Sequence, residues 1–234
     1  MSSSSEIGTT VTQLKDKAIN EVEPTDKIVP ERQNSEFWRK SLHMLPGLLP
    51  FWLTTLPHED PLQRHSLVFV TVIAVVLTLL FIVLQRVVRR NNESDFLLTT
   101  LSYPIIVVGS LWLFPGKIEF ACVIVVILAF GDGSAFIGGK RWGRKKLPWN
   151  PDKSWAGFFS FIVVAAPMAT YLFYQVADNP SVSLSNSLIC AVTATVLAAI
   201  AESIDTKLTD NLRVGLAAAL GVIGSWFLLV PMLG

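Results

Sequence analysis

"FACVIVVILAFGDGSAFIGGKRWGRKK", residues 120–146, runs from an unbroken apolar block through one aspartate and a set of glycines into a cluster of cations. Residues 120–139 carry no charge except Asp132. That is the length of roughly 20 residues that a membrane-spanning helix needs. Five more uncharged stretches of similar length lie around it, at residues 66–84, 97–115, 156–177, 186–201 and 214–234. A seventh, residues 41–57, is shorter and holds Pro46, Pro50 and Pro57, which suits a kinked span or a re-entrant piece. The expected fold is therefore all-α: a polytopic membrane bundle of about six to seven transmembrane helices over residues 37–234. Composition agrees. The 234 residues are 51% hydrophobic with a mean hydropathy of +0.51, and only 16% are charged, where a soluble domain carries about 25%. The net charge of +1 decides little, and no nucleic-acid partner is expected. Cys122 and Cys190 fall inside apolar blocks and read as small buried residues. Residues 1–36 are polar, lack the apolar core of a signal peptide, and are expected to form a disordered cytoplasmic tail.

Basic residues set the orientation, because cytoplasmic loops are enriched in Lys and Arg. Arg39 and Lys40 precede residues 41–57, while Arg86, Arg89 and Arg90 follow residues 66–84. Lys140 to Lys153 and then Lys207 and Arg213 occupy the later loops of the same parity. The alternate loops hold only Arg64 and Lys117. If residues 41–57 cross, every cation-rich loop and the N-terminus face the cytoplasm.

The chemically suggestive residues lie on that side. A carboxylate at the depth of Asp132 costs a few kcal/mol unless a wet cavity or a partner receives it, which marks it as functional. Helical spacing puts Gly131, Ala135, Gly139 and Gly143 in one small-residue stripe, suited to close helix packing. One position on, Asp132, Phe136, Lys140 and Arg144 form a second stripe if the helix extends that far. Asp132 then suits Mg²⁺, and the cations suit phosphate oxygens. The segment is not a P-loop, since Ser134 stands where the first glycine belongs and Arg141 follows Lys140. It is not a dinucleotide fingerprint either, because a membrane helix precedes it.

Three further blocks stand out. In "NPDKSWAGFF", residues 150–159, Asp152 or Ser154 can cap a helix starting near Trp155. The backbone N–H groups of that helix start and Lys153 beside them make a phosphate-binding end, as against an ordinary cap with an interfacial Trp. In "AESIDTKLTDNLRVG", residues 201–215, Glu202, Asp210 and Asn211 are more than a helix cap needs, and with Asp132 they form a candidate two-metal or metal-plus-base set. In "FWRKSLHML", residues 37–45, Arg39, Lys40 and His43 precede the proline-rich segment, where an interfacial anchor is the plainer reading.

Taken in order, "RKSLHMLPGL", "GDGSAFIGGKRWGR", "DKSWAG" and "AESIDTKLTDNL" resemble the signature blocks of the CTP-dependent lipid-alcohol kinases: phytol kinase, dolichol kinase and the CTP-dependent diacylglycerol kinase. The resemblance covers residues 37–234. Phosphatidate cytidylyltransferases share the glycine-rich and Lys-Ser blocks, but the last block and the short chain match the phytol kinase side. One departure is Ala156, where that loop tends to carry glutamate. The resemblance implies transfer of the γ-phosphate of CTP to a lipid alcohol, with Mg²⁺ as cofactor, at the cytoplasmic interface. It implies that Asp132, Asp210 and Glu202 hold metal, with Asp210 alternatively taking the alcohol proton. Gly131, Gly133, Lys140, Arg144, Lys153, Ser154 and Gly157 would surround the nucleotide phosphates, Asp132, Lys153 and Asp210 would be catalytic, and Asn211 would support them. Membrane lipids surround the bundle, and a bacterial inner membrane is the expected location. A CDP-lipid-forming cytidylyltransferase is the alternative, and a transporter or assembly factor the second. A transporter calls for paired broken helices with internal symmetry; the sequence displays neither clearly, and the proline-rich first segment keeps that alternative open.

Overall fold

The structure, a computed structural model, describes residues 40–55, 61–88, 96–178, 181–206 and 208–228. The tail over residues 1–36, Arg39, Arg89, Arg90 and Lys207 lie outside the described residues. Among the described residues the chain is all-α apart from one small hairpin and an isolated bridge between Asp178 and Ser181. After a helical stretch at residues 40–44 and a 3₁₀ turn at Leu45–Leu48 comes the short helix α1 (Leu49–Leu53). The long helices are α2 (Arg64–Val88), α3 (Phe96–Leu113), α4 (Ile118–Trp142), α5 (Trp155–Val176), α6 (Leu184–Ser203) and α7 (Asp210–Leu228). Among the described residues five are long and apolar enough to cross a membrane, and α3 contains a shorter apolar stretch, Thr100–Leu113.

Apolar content alone does not say whether a helix faces lipid or the bundle interior. Here the two cases separate: 83% of the most apolar stretch of α4 is buried inside the protein, against 6% for α2. Helix α4 is the core, apolar on every side as a central helix must be. Phe120, Val123, Ile124, Val126 and Ile127 are sealed, packing with Phe161, Leu172 and Phe173 of α5. Small residues set how near the other helices come. A Cβ on Gly131 would lie 2.4 Å from the Phe161 ring, and one on Gly221 of α7 would lie 2.5 Å from the Ala194 backbone of α6. Close approach of this kind is how membrane helices associate where no hydrophobic drive separates helix from lipid. Cys122 and Cys190 are buried free thiols.

Residues 40–53 do not form one straight helix. Pro46 and Pro50 occupy the first turns of two successive short pieces, and a proline cannot continue a helix through its own missing N–H. Lys40 lies beside Asp132, while the Leu62 N–H binds the Pro115 carbonyl just before α4 begins. Between those levels α4 climbs about 21 Å at 1.5 Å per residue. The broken segment therefore progresses from one end of the bundle to the other, pressed against α4 where Gly47 meets Ala129 and Phe130.

Between α4 and α5 the chain forms an antiparallel hairpin, β1 (Lys146–Leu147) and β2 (Asn150–Ser154), pairing Lys146 with Ser154 and Leu147 with Asn150. Pro148 fills the turn, a position that favours its fixed φ. Leu147 is its buried foot. The end of α6 meets this hairpin at Ser203, and with the start of α7 they make the end of the bundle that carries the site.

Candidate active site

Asp132 comes directly after a π-helical stretch, Ile127–Gly131, inside α4. A π turn widens the helix by one residue and is common at functional sites. It re-aims the side chains of the next turn, and Asp132 is nine-tenths buried. Its partner is Lys40, whose Nζ donates to Oδ1 at 2.6 Å and also to Oδ2. Met44, one turn after Lys40, sits where a Gly133 side chain would be, at 2.4 Å. His43 packs edge-on to Tyr103 at 5.4 Å on the same side.

Across the site, Lys153 on β2 donates to Glu202 Oε1 at the end of α6. Burial by itself lowers the proton affinity of the Lys153 ammonium, but Glu202 beside it, then the charges of Asp210 and Asp132, raise it above the ordinary lysine value. Lys153 thus contacts one carboxylate, Glu202, and feels the charges of two more from other helices. Glu202 is 6% exposed, and its second oxygen, Oε2, is buried without a hydrogen-bond partner among the described residues. Asp210 opens α7 and is exposed, with Oδ1 held at 2.8 Å by Arg213. Asn211 beside it is buried.

The hairpin fixes this arrangement. Asn150 Nδ2 donates to the Ser203 carbonyl at 3.1 Å, and Trp149 Nε1 donates to Ser203 Oγ at 3.1 Å. Asn150 Oδ1 also accepts from the Asp152 N–H at 3.0 Å. These bonds clamp β2 to the residue after Glu202, which sets Lys153 against that carboxylate. Neither the hairpin nor the Asn150 clamp is anticipated by the sequence pattern. The Asn-Pro pair at 150–151 signals a turn but not what the amide reaches.

The structure gives the remaining candidates other contacts. Helix α4 ends at Trp142, so Arg144 is not on the stripe of Asp132. Lys140 is exposed and lies 5.7 Å over the Phe136 ring. The glycines pack helices: Gly131 against Phe161, Gly133 against Met44, and Gly157 against the Ala135 carbonyl. Ser154 caps α5, accepting from the Gly157 N–H at 3.2 Å, while the Trp155 N–H is taken by the Lys145 carbonyl. Two of the N–H groups at the start of α5 are therefore already engaged.

The residues suit a divalent cation shared with a nucleotide better than a cation caged by protein alone. Among the described residues no three His, Cys, Asp or Glu side chains converge closely enough for a cage. Lys153 takes Glu202 Oε1, while the buried Oε2 of the same carboxylate has no hydrogen-bond partner among the described residues. Mg²⁺ is commonly bound by one or two carboxylates plus substrate phosphates.

No solved structure matches the chain. It is 26% identical over 196 residues to phytol kinase 1, chloroplastic, of Arabidopsis thaliana, covering 78% of this chain and 64% of that one. It is 27% identical over 135 residues to farnesol kinase, chloroplastic, of the same plant, covering 56% and 44%. It is 30% identical over 144 residues to a probable phytol kinase 1, chloroplastic, of Oryza sativa subsp. japonica, covering 58% and 45%. The chain thus spans less than two thirds of the length of these relatives. They are plant chloroplast proteins, which lends no support to a bacterial inner membrane. The cytidylyltransferase family model matches residues 32–204, a span that includes Lys40, Asp132, Lys153 and Glu202, and the chain belongs to that family.

Proposed function

We propose that this chain is an integral-membrane kinase that transfers the γ-phosphate of CTP to the hydroxyl of a lipid alcohol of the phytol or polyprenol type. The observation that carries the reading is the convergence of Lys40–Asp132 and Lys153–Glu202, with Asp210, where the apolar helices end. Phosphates need cations and a carboxylate-held metal, a lipid alcohol needs hydrocarbon beside them, and both needs meet at that end. The names of the relatives, phytol and farnesol kinase, support an isoprenoid alcohol. The family supports a cytidine nucleotide. The excess of cations supports a cytoplasmic face.

Phosphoryl transfer is mostly positioning and charge neutralisation. The alcohol oxygen bonds to the γ-phosphorus as the bond to the β-phosphate oxygen breaks and CDP leaves. Lys153 and Lys40 neutralise the phosphate oxygens. Asp210, the exposed carboxylate, takes the alcohol proton. Asp132 and Glu202 would hold Mg²⁺, which when bound shields the phosphate charge. Asn211 and the clamp at Asn150 keep the carboxylate-bearing helix ends in place.

The family description also favours a second reading, transfer of the cytidylyl group to a phosphatidate-like lipid. Purified protein with Mg²⁺, a panel of lipid alcohols plus phosphatidate, and CTP labelled at the γ or the α phosphate separates the two. The kinase reading expects γ label in the lipid phase and no α label. Label from the α position would assign the second reading. Lipid label from neither, with ATP and UTP also inactive, would overturn both.

A further inference from the structure

The two lysine–carboxylate pairs differ in one respect. Glu202 keeps a buried oxygen with no hydrogen-bond partner among the described residues, so its bond to Lys153 leaves one oxygen unengaged. Asp132 has no such opening, because Lys40 contacts both of its oxygens. The two side chains are 25% and 12% exposed, so the pair is largely withdrawn from water. A divalent ion bound to either Asp132 oxygen meets the Lys40 ammonium at close range, so its binding is opposed until the ammonium moves. A displaced ammonium in a poorly hydrated site needs another anion nearby.

Resting on the function proposed above, we propose that Lys40 is a phosphate-positioning residue that closes Asp132 to free divalent cation and yields it only to a cation arriving with a nucleotide. The phosphate supplies the anion that Lys40 needs on leaving Asp132. The segment bearing Lys40 cannot withdraw, because Met44 rests on Gly133 and Gly47 on Ala129 and Phe130. The exchange is therefore a rotation of the flexible four-carbon stem, which keeps the ammonium within reach of a phosphate at Asp132. The role expected of Lys140 and Arg144 is thereby carried by a residue 92 positions before Asp132.

Mn²⁺ serves as the probe, with the full chain in detergent. Its binding is read by electron paramagnetic resonance without nucleotide. Binding of a non-hydrolysable CTP analogue at saturating Mn²⁺ is read by calorimetry. Lys40→Met should tighten Mn²⁺ alone and weaken the nucleotide, each by about tenfold, a coupling of the ordinary size. A purely structural role would weaken both, and that result, or no change in either, overturns the proposal. Should Lys40→Met not fold, Asp132→Asn gives an independent test. It should leave Mn²⁺ affinity without nucleotide within about twofold of wild type, since Asp132 is closed there, yet weaken nucleotide binding at saturating Mn²⁺ by about tenfold. A loss of Mn²⁺ affinity without nucleotide would overturn the closure. Wild type that binds no CTP, ATP, GTP or UTP analogue would overturn both this proposal and the function beneath it. Wild type that binds nucleotide while Lys40→Met or Asp132→Asn behaves otherwise overturns this one alone.

Discussion

Asp132 and Lys153 take different parts in the proposed reaction, and their substitutions should separate. Asp132→Asn removes the charge needed for the nucleotide's metal while keeping the shape and one acceptor for Lys40. Turnover should fall by more than about 1,000-fold with expression and size-exclusion behaviour unchanged, which is more than loss of one preorganised donor alone usually costs. Near wild-type turnover would remove Asp132 from the reaction. Lys153→Ala takes away an ammonium paired with Glu202 and within the influence of Asp210 and Asp132. It should raise KM for the nucleotide and lower kcat, together by about 100-fold or more. Lys140→Ala is the contrast: an exposed cation over Phe136 should change kcat/KM by less than about threefold. Steady-state kinetics on the three proteins checks all of this. Asp132, Lys153, Glu202 and Asp210 are legible in the sequence because each breaks an apolar or helix-start context. The pairing of Lys40 with Asp132 is not, since no local pattern links residues 92 apart. Lys140 lies within the helix on the stripe of Asp132, whereas Arg144 joins it only if the helix is extended through Gly143, where the chain leaves it.

At the scale of elements, the glycines of α4 act through distance between helices. Gly131→Ala would drive a methyl into the Phe161 ring at the point where α4 and α5 touch. Overpacking of this kind should destabilise by about 1–3 kcal/mol, read as a lowered melting temperature in detergent. Gly109→Ala in α3 meets nothing within 4 Å, so it should be neutral or stabilising by up to about 1 kcal/mol. Asn150→Ala tests the clamp. It leaves the Ser203 carbonyl without its donor, which should cost about 1–3 kcal/mol and lower turnover through the displaced Lys153. The six longer spans are legible, their described residues lying in or largely within helices, because hydrocarbon demands long apolar segments with their backbone satisfied, while residues 41–57 are broken into short pieces. The hairpin is not, because β2 contains Pro151 and two charges, features that count against a strand. The π stretch in α4 has no composition signal, since its residues suit an ordinary helix equally well.

For the whole molecule, the decisive feature is where the broken segment at residues 40–55 and then residues 61–62 lie along α4. A segment that dipped in and returned would leave α2 starting at the hairpin end and reverse every later helix. The contact of Leu62 with Pro115 instead starts α2 at the opposite end. Helices α3 to α7 then alternate, and the hairpin, the end of α6 and the start of α7 share the side of Lys40. The sequence carries half of this, through the uneven placing of Lys and Arg. It leaves the other half open, because residues 41–57 are too short for a straight span and only their packing on α4 shows where they lead. Single cysteines at Lys145 and Ser181, in a background with Cys122 and Cys190 replaced by alanine, test the arrangement. An impermeant maleimide added to sealed vesicles of one orientation should label one position, and only after permeabilisation the other. Labelling of both from the same side would put the hairpin and the α5–α6 turn on one face of the membrane, and the proposed site would then lose its one-sided access to nucleotide.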